Sequence, residues 1–242
     1  MGQYDEYLER TNWKQSAGLI TWVHERILKT FIRVAKLTPS NIKLLEIGSG
    51  RGTGGLIANS LGFARYIGVE PTQALAEFSR ERYGHEVVED SLPELVSIET
   101  DSMDATFSVH VLEHASTHQD AWDWVQEMKR IVRPGGHILI CTPDAQDYGS
   151  YFWDSDWSHS YPTTPRRLSQ ILQDNGLEVV FAGKMHLGSL SQVTALCSHF
   201  MALLLPTRLG DKITLRIFGR PLVSGLKIAI LWGLTYVVAR KP

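Results

Sequence analysis

The hydrophobic positions of this 242-residue chain fall into short apolar runs that alternate with stretches of helical spacing. Apolar runs typical of buried strands precede polar or glycine-rich turns at residues 42–47, 66–69, 86–88, 105–109, 137–141 and 177–182. The stretches between them have the length and periodicity of helices, as at 72–83 and 118–131. Strands that alternate with helices predict a doubly wound α/β sheet.

The first predicted strand runs into a glycine-rich turn, K-L-L-E-I-G-S-G-R-G-T-G-G, from Lys43 to Gly55. Glycine permits the unusual backbone angles of a tight turn and lets a ligand approach the main chain. The free N–H groups at the start of the next helix favour an anionic or polar group. The turn therefore predicts a small-molecule site. Gly50, Gly52 and Gly55 also satisfy G-x-G-x-x-G, with Glu70 20 residues after Gly50, so a nicotinamide dinucleotide stays open at this point.

Composition and charge narrow the choice of partners and compartment. The chain is 43% hydrophobic and 21% charged, as is usual for globular proteins, and its net charge of −2 gives no reason to expect nucleic acid. Its two cysteines form no C-x-x-C pair, which argues against a disulfide framework or a zinc-cysteine site. The first residues are polar and have no secretory signal pattern. We expect a cytoplasmic protein.

Both ends of the chain predict helical additions to an α/β core. Residues 1–40 are expected to form a helical cap, with a lid that closes through Tyr4, Tyr7 or Trp13 as the alternative. The core is predicted to span residues 41–184 and 234–242, and residues 185–233 to form a helical insertion before the last strand.

The predicted insertion carries a basic face. Arg208, Lys212, Arg216 and Arg220 recur every four residues and so share one side of a helix. A basic face beside apolar helices is typical of peripheral contact with a membrane surface, and a cap or a homodimer interface explains it equally well. The apolar stretch 222–239 is long enough to span a membrane. Residues 235–241, however, are predicted to be the closing strand, so a span is not expected.

Five motifs resemble, in order, those of class I S-adenosylmethionine-dependent methyltransferases, in the branch that includes ubiquinone, glycan and small-molecule O-methyltransferases. Across residues 44–141 they read L-L-E-I-G-S-G-R-G, I-G-V-E-P, V-E-D-S, F-S-V-H-V-L-E-H and M-K-R-I-V-R-P-G-G-H-I-L-I. The resemblance implies a Rossmann-like sheet of seven strands, the last antiparallel, and S-adenosylmethionine as cofactor. A nicotinamide enzyme would explain only the first two motifs.

The resemblance also implies roles for individual residues. It places the methionine part of the cofactor among Glu46, Gly48, Gly50, Gly52 and His110. The cofactor's ribose hydroxyls would be bound by Glu70, and its adenine amino group by Asp90 with Ser91 beside it.

Two histidines are the candidate catalytic bases, because histidine titrates near neutral pH. His114 closes the L-E-H motif, and His159 lies in the later loop W-D-S-D-W-S-H-S-Y-P. In related quinone methyltransferases this motif holds a divalent metal through two acids and the histidine. Here His110 replaces the first acid, so no metal is expected. In the alternative interpretation, Glu113 caps the next turn and His114 binds main chain.

The predicted function is methylation of an oxygen on a glycan, a lipid-linked sugar or a quinone-like ring. The loop 144–165 carries six aromatic residues and is expected to form a wall for such an acceptor. Two alternatives stay open. One is an NAD(P)-dependent reductase, and the other is a scaffold that binds S-adenosylmethionine without catalysis.

Overall fold

The computed structural model describes residues 18–186 and 233–242, together with positions 212, 213 and 216. The strands are β1 (Lys43–Ile47), β2 (Arg65–Val69), β3 (Glu86–Val88), β4 (Met103–Val109), β5 (Val132–Pro143), β6 (Glu178–His186) and β7 (Gly233–Arg240). The helices are α1 (Gly18–Ala35), α2 (Thr53–Ser60), α3 (Gln73–Tyr83), α4 (His118–Ile131), α5 (Ala145–Tyr148), α6 (Tyr151–Ser155) and α7 (Pro165–Asp174).

The seven strands form one sheet in the order β3-β2-β1-β4-β5-β7-β6. Strands β1 to β5 run parallel to one another, whereas β7 runs antiparallel to both β5 and β6. This confirms the predicted seven-stranded doubly wound sheet with an antiparallel last strand. A dinucleotide-binding sheet has the parallel order 3-2-1-4-5-6, without an antiparallel strand between the last two.

The core lies in two apolar layers, one on each face of the sheet. Leu44 belongs to one layer and Leu45 to the other, because successive strand residues point to opposite faces. On the first face α1 packs through Ile27 and Phe31, which are fully buried. On the second face α4 and α7 pack through apolar residues such as Val125. The sheet is thereby covered on both sides, as a parallel sheet requires.

Several predicted boundaries of helices and strands match the structure, and others differ from it. Helix α4 spans the predicted 118–131, and it begins at a capping box in which Thr117 and Asp120 satisfy each other's backbone N–H groups. The predicted turn at 133–136 lies instead inside β5, because Gly135 and Gly136 pair with the backbone of Lys241. Strand β6 continues to His186, past the predicted core boundary at 184. The loop 144–165 contains the short helices α5 and α6, which the sequence did not predict.

Parts of the predicted cap and insertion lie outside the described residues. These include the lid residues Tyr4, Tyr7 and Trp13, and most of the insertion. Of its basic face, Lys212 and Arg216 are described, and both are helical and exposed. Within the described part of the chain, no helix combines the length and the hydropathy needed to cross a membrane.

Candidate active site

The carboxyl ends of β1 to β4 enclose a cavity of about 320 Å³. This size suits a small-molecule site, and ligands of open α/β sheets bind at this edge. The cavity is lined by Ile47, Gly48, Gly50, Val69, Glu70, Pro71, Thr72, Leu75, Asp90, Ser91, Leu92, His110, Val111, His114 and Trp124. Seven of the ten residues proposed from sequence are among them: Gly48, Gly50, Glu70, Asp90, Ser91, His110 and His114.

The glycine turn between β1 and α2 leaves room in the cavity at one position. Gly50 has a φ of +52°, and a Cβ built on it would meet no atom within 4 Å. Gly52 also has a positive φ, of +79°, but it does not line the cavity. A Cβ there would overlap the Ser79 hydroxyl and lie 2.8 Å from Nδ1 of His85. The glycine at 52 is therefore required by packing against α3, and the one at 50 opens the cavity.

Glu70 is held at the cavity edge by two backbone groups. Its Oε2 accepts from the N–H of Gly50 at 2.8 Å, and its Oε1 accepts from the N–H of Thr72 at 2.9 Å. The residue is 5% exposed, so its carboxylate is fixed within the wall. Each carboxylate oxygen has a second lone pair that can accept from a ligand hydroxyl.

Glu46, which is expected beside the methionine group, is not among the residues that line the cavity. It is buried in front of α2, and a Cβ at Gly54 would overlap its carboxylate. The Tyr66 hydroxyl donates a hydrogen bond to it. Burial raises the pKa of Glu46 to about 8, and the nearby Glu70 charge adds to this, while the Tyr66 hydrogen bond opposes it.

The loop after β3 brings a second acid to the cavity. Asp90 is half-buried and accepts from the backbone N–H of Ser91 at 2.9 Å and of Ser97 at 3.3 Å. Apolar side chains of Leu75 and Trp124 line the cavity with it. This end therefore combines an apolar surface with one anionic acceptor.

The segment after β4 turns sharply at His110, whose φ is +58°. The His110 Nδ1–H donates to Oε1 of Glu113 at 3.0 Å. Glu113 is fully buried, and its Oε2 has no hydrogen-bond partner among the described residues. The alternative interpretation in which Glu113 caps the next turn is thus wrong. Thr117 caps α4, while Glu113 instead accepts the hydrogen bond from His110.

His114 lies in the cavity wall and is oriented by a chain of two side chains. Its Nδ1 lies 2.9 Å from the Ser158 hydroxyl, which donates to Asp156 at 2.6 Å. Because that hydroxyl proton is used by Asp156, the Ser158 oxygen accepts from His114 Nδ1–H, and Nε2 carries the ring's lone pair. Burial lowers the pKa of His114, although the Glu113 charge opposes the shift. Burial acts to raise the pKa of Asp156, but the Ser158 hydrogen bonds outweigh it and lower that pKa.

His159 lies against His114, with ring centroids 5.1 Å apart. Its Nδ1 donates to the carbonyl of Phe152 at 2.7 Å, so its lone pair is also on Nε2. The structure thus brings the two predicted bases together, although only His114 lines the cavity. The loop is fixed there because the N–H groups of Ser160 and Tyr161 both donate to the Glu113 carbonyl.

Glu113, His114 and His159 form a group with metal-ligand chemistry. One ligand atom of each lies within 4.8 Å of one from each of the others. From the sequence, only Glu113 and His114 were recognised as possible metal ligands, because His159 is 45 residues beyond His114 and belongs to no spacing motif. Sequence reasoning also missed Ser158 and Asp156, whose short polar side chains gave no signal of a role.

The start of the aromatic loop is anchored to the last strands. Lys184 on β6 forms ion pairs with Asp144 at 2.8 Å and Asp147 at 2.6 Å, and Thr235 on β7 donates to Asp144 at 2.8 Å. Farther along the loop, Trp157 is 77% exposed. The start of the loop is therefore held in place by ion pairs and a hydrogen bond, and the loop exposes an aromatic surface near the two histidines.

Comparisons with known proteins agree with this geometry. Residues 45–140 match the family described as "Methyltransferase domain". The Mus musculus protein named tRNA (carboxymethyluridine(34)-5-O)-methyltransferase ALKBH8 is 33% identical over 112 residues, which are 45% of this chain and 16% of that protein. The chain thus covers less than a fifth of that relative's length.

Solved structures share the fold. An S-adenosylmethionine-dependent methyltransferase from Archaeoglobus fulgidus superposes with a TM-score of 0.64 at 19% identity, over 99% of this chain and 100% of that one. A geranyl diphosphate methyltransferase in complex with S-adenosylmethionine gives 0.63 at 15% identity, over 90% and 85%. At these identities the likeness shows the fold alone. Residues 45–140 thus resemble a methyltransferase domain, within a fold shared with S-adenosylmethionine-dependent methyltransferases.

S-adenosylmethionine, the cofactor expected from the sequence, is bound in one of these solved neighbours. The residues present fit it. The open space beside Gly50 admits a ligand against the main chain, and Glu70 offers a fixed carboxylate to a hydroxyl-bearing ring. The apolar surface beside Asp90 suits a purine with an exocyclic amino group.

Proposed function

We propose that the methyltransferase domain of this chain methylates a hydroxyl oxygen of a glycan, a lipid-linked sugar or a quinone-like small molecule. One observation carries the proposal. A single cavity joins the two acids suited to a nucleoside, Glu70 and Asp90, to His114, and His159 stands directly behind it. The cavity thus has a cofactor end and a histidine end.

At the cofactor end, Glu70 would accept from the ribose hydroxyls and Asp90 from the adenine amino group, while Gly48 and Gly50 would leave room for the methionine part. When bound, S-adenosylmethionine supplies an electrophilic methyl group on a sulfonium sulfur, which keeps the electron pair of the bond that breaks. The protein contributes mainly by positioning the acceptor and by preparing its nucleophile.

At the histidine end, an acceptor hydroxyl must lose its proton or have its pKa lowered before it attacks. His114 and His159 lie where they could accept this proton or lower the pKa of the hydroxyl, and each carries its lone pair on Nε2. This supports oxygen as the acceptor atom. The exposed Trp157, one residue from Ser158, supports an acceptor with a flat or sugar-like face.

The named function of the ALKBH8 relative makes tRNA a competing acceptor. The likeness covers less than half of this chain, however, and the net charge of −2 gives no electrostatic support for a phosphate backbone. We therefore favour a small or glycan acceptor and keep tRNA as one arm of the test.

The first test is thermal unfolding with S-adenosylhomocysteine, with NADH and without ligand. A ligand at about 100 times its dissociation constant adds roughly 2.7 kcal/mol of stability, and about 2–4 °C per kcal/mol is expected for a domain of this size. We expect S-adenosylhomocysteine to raise the Tm by roughly 5–10 °C and NADH to leave it unchanged. Stabilisation by NADH alone would favour a reductase and overturn the proposal.

The second test follows label from methyl-labelled S-adenosylmethionine into three acceptor pools: oligosaccharides and lipid-linked sugars, quinols, and tRNA. We expect transfer to one of the first two pools and loss of transfer in His114→Asn. Label entering tRNA alone would contradict the acceptor class. Transfer that survives both His114→Asn and His159→Asn would show that the histidine end is not where the chemistry occurs. A scaffold would bind S-adenosylhomocysteine and transfer nothing to any pool.

A further inference from the structure

Arg167, in the first turn of α7, is held by two rings and not by a carboxylate. Its Cζ lies 4.5 Å from the centroid of the Tyr161 ring, and its Nη2 donates to Nδ1 of His118 at 3.1 Å. Within the part of the chain that the structure describes, neither Arg167 nor its exposed neighbour Arg166 forms an ion pair with an acid. Five other described arginines each pair with an acid: Arg65, Arg80, Arg130, Arg133 and Arg240. Two adjacent cations without a counter-charge favour an anionic ligand.

The two ring contacts fix the Arg167 guanidinium and leave most of its donors unused. Tyr161 is only 6% exposed, so its ring gives the guanidinium a fixed plane to stack on. Because an arginine N–H can only donate, Nδ1 of His118 accepts, and the proton of that ring lies on Nε2. The other guanidinium N–H groups and the His118 Nε2–H have no partner among the described residues. A planar fork of this kind suits two oxygens of one phosphate.

These side chains lie beside the histidine end of the cavity. His118 begins α4 four residues after His114, and Tyr161 follows His159 by two residues, which span at most about 7 Å. The N–H of Tyr161 donates to the carbonyl of Glu113 at 3.0 Å. The His118 ring meets the Tyr161 ring edge-on, with centroids 5.6 Å apart. A group bound by Arg167 would therefore lie close to the proposed acceptor position.

We propose that a basic patch of His118, Arg166 and Arg167 binds a phosphate group of the methyl acceptor, so that the acceptor is a sugar joined to its carrier lipid through phosphate. The inference rests on the proposed function and selects one of its three acceptor classes. A quinone-like ring and a neutral glycan carry no phosphate. The patch binds and orients the acceptor and takes no part in the bond changes of methyl transfer.

A phosphate is also present at every nucleotide of a tRNA. Binding of such a polyanion depends on many phosphate contacts, whereas the patch offers two arginines and one imidazole N–H, on a chain whose net charge is −2. A single phosphate linkage fits the patch better. Label transfer to tRNA is therefore one of the outcomes that the test must distinguish.

The first test titrates the whole chain with inorganic phosphate by calorimetry, in low-salt buffer with S-adenosylhomocysteine present. Two or three hydrogen bonds to charged groups predict a dissociation constant on the order of 1 mM. Added sodium chloride should weaken binding, because exposed charges are screened. Arg167→Gln should weaken it by about 10-fold or more. The matched control is Arg82→Gln, which removes an exposed arginine from the last turn of α3 and should bind as the parent does.

Two more variants separate phosphate binding from a structural role of Arg167. Arg167→Lys keeps the charge but loses the planar fork and the flat contact with Tyr161, so its affinity should lie between those of the parent and Arg167→Gln. Arg166 is exposed, so Arg166→Gln keeps the test decisive if Arg167→Gln does not fold, and it too should weaken binding by about 10-fold. Absence of phosphate binding in the parent, or parental affinity in both glutamine variants, would overturn the patch as an anion site.

The second test follows methyl label into intact lipid-linked sugars and into the same pool after mild acid hydrolysis, which separates the sugars from phosphate. We expect kcat/KM to be at least about 10-fold higher on the intact pool. Arg167→Gln should raise KM for that pool by about 10- to 100-fold, while kcat and the affinity for S-adenosylhomocysteine stay close to the parent's. An unchanged KM would contradict a role of the patch in acceptor binding.

The remaining outcomes separate this inference from the proposed function. Equal transfer to the intact and hydrolysed pools, or transfer to quinols alone, would overturn the role of the patch and leave methyl transfer standing. Transfer to tRNA that Arg167→Gln lowers would assign the patch to an RNA phosphate and refute the sugar acceptor. A chain that binds phosphate and S-adenosylhomocysteine but labels no pool would overturn the proposed function, while the anion site would stand.

Discussion

Glu70 offers the sharpest test of the cofactor end. Replacement by glutamine keeps the shape of the side chain and removes its charge. The two carboxylate oxygens each accept one backbone N–H, from Gly50 at 2.8 Å and from Thr72 at 2.9 Å. A glutamine has one oxygen and one NH₂, so in either orientation its NH₂ group faces a backbone donor. The variant must therefore lose one of these bonds as well as the anionic acceptor for a ribose hydroxyl.

The two losses have different magnitudes and different readouts. An unpaired buried N–H costs about 1–3 kcal/mol of stability in the absence of ligand. A lost hydrogen bond to a charged group costs about 1.5–3 kcal/mol, which weakens binding of S-adenosylhomocysteine by about 10- to 150-fold. Urea denaturation without ligand measures the first, and titration calorimetry with S-adenosylhomocysteine measures the second.

The control for Glu70→Gln is Glu77→Gln. Glu77 is exposed on α3, where it accepts from Gln73 one helical turn earlier at 2.7 Å, so both readouts should stay close to those of the parent. Should the affinity of Glu70→Gln stay within about threefold of the parent while its stability falls, Glu70 would serve the glycine turn and not the cofactor. The assignment of the ribose site would then be refuted.

Two further predictions concern the buried side of the glycine turn. Burial raises the pKa of Glu46 to about 8 from 4.5, so the folded chain holds a proton that the unfolded chain has lost, and stability should fall between these pH values by at most about 1.4 kcal/mol per pH unit. Glu46→Gln should flatten this fall in urea denaturation from about pH 5 to 8, and equal slopes would contradict the assignment. Gly52→Ala should lower the Tm more than Gly50→Ala, because both have positive φ but only the Cβ at 52 overlaps Ser79. Gly50→Ala should instead weaken S-adenosylhomocysteine binding more, and calorimetry that ranks them the other way would be inconsistent with the cavity.

The sequence was most informative where the cause of structure is local. Strand β3 and helix α4 match their predicted bounds, and α4 does so because Thr117 supplies a cap and the apolar spacing continues to Ile131. The glycine turn could also be predicted, because Gly48, Gly50 and Gly52 have positive φ, which glycine adopts more easily than other residues. The antiparallel position of β7 came from the family resemblance and not from any property of its residues.

Glu46 shows that a sequence motif does not determine which way a side chain near a strand end points. Both Glu46 and Glu70 are acids near the carboxyl end of a strand, and the resemblance placed both at the cofactor. Glu70 follows β2 and reaches the cavity edge, whereas Glu46 lies within β1 and points towards α2 and Tyr66. Within a strand, a shift of one position turns a side chain to the other face, so the distinction depends on where the strand ends to within one residue.

Both histidines were named from the sequence, but their contact in the folded chain could not be predicted, for a different reason. Glu113 and His114 are neighbours within one short motif, and the sequence shows them together. His159 reaches them because the loop after β5 folds back, with two of its N–H groups bound to the Glu113 carbonyl. A contact between residues 45 positions apart has no local signature. In the folded chain His110 orients Glu113, and the loop brings His159 beside them.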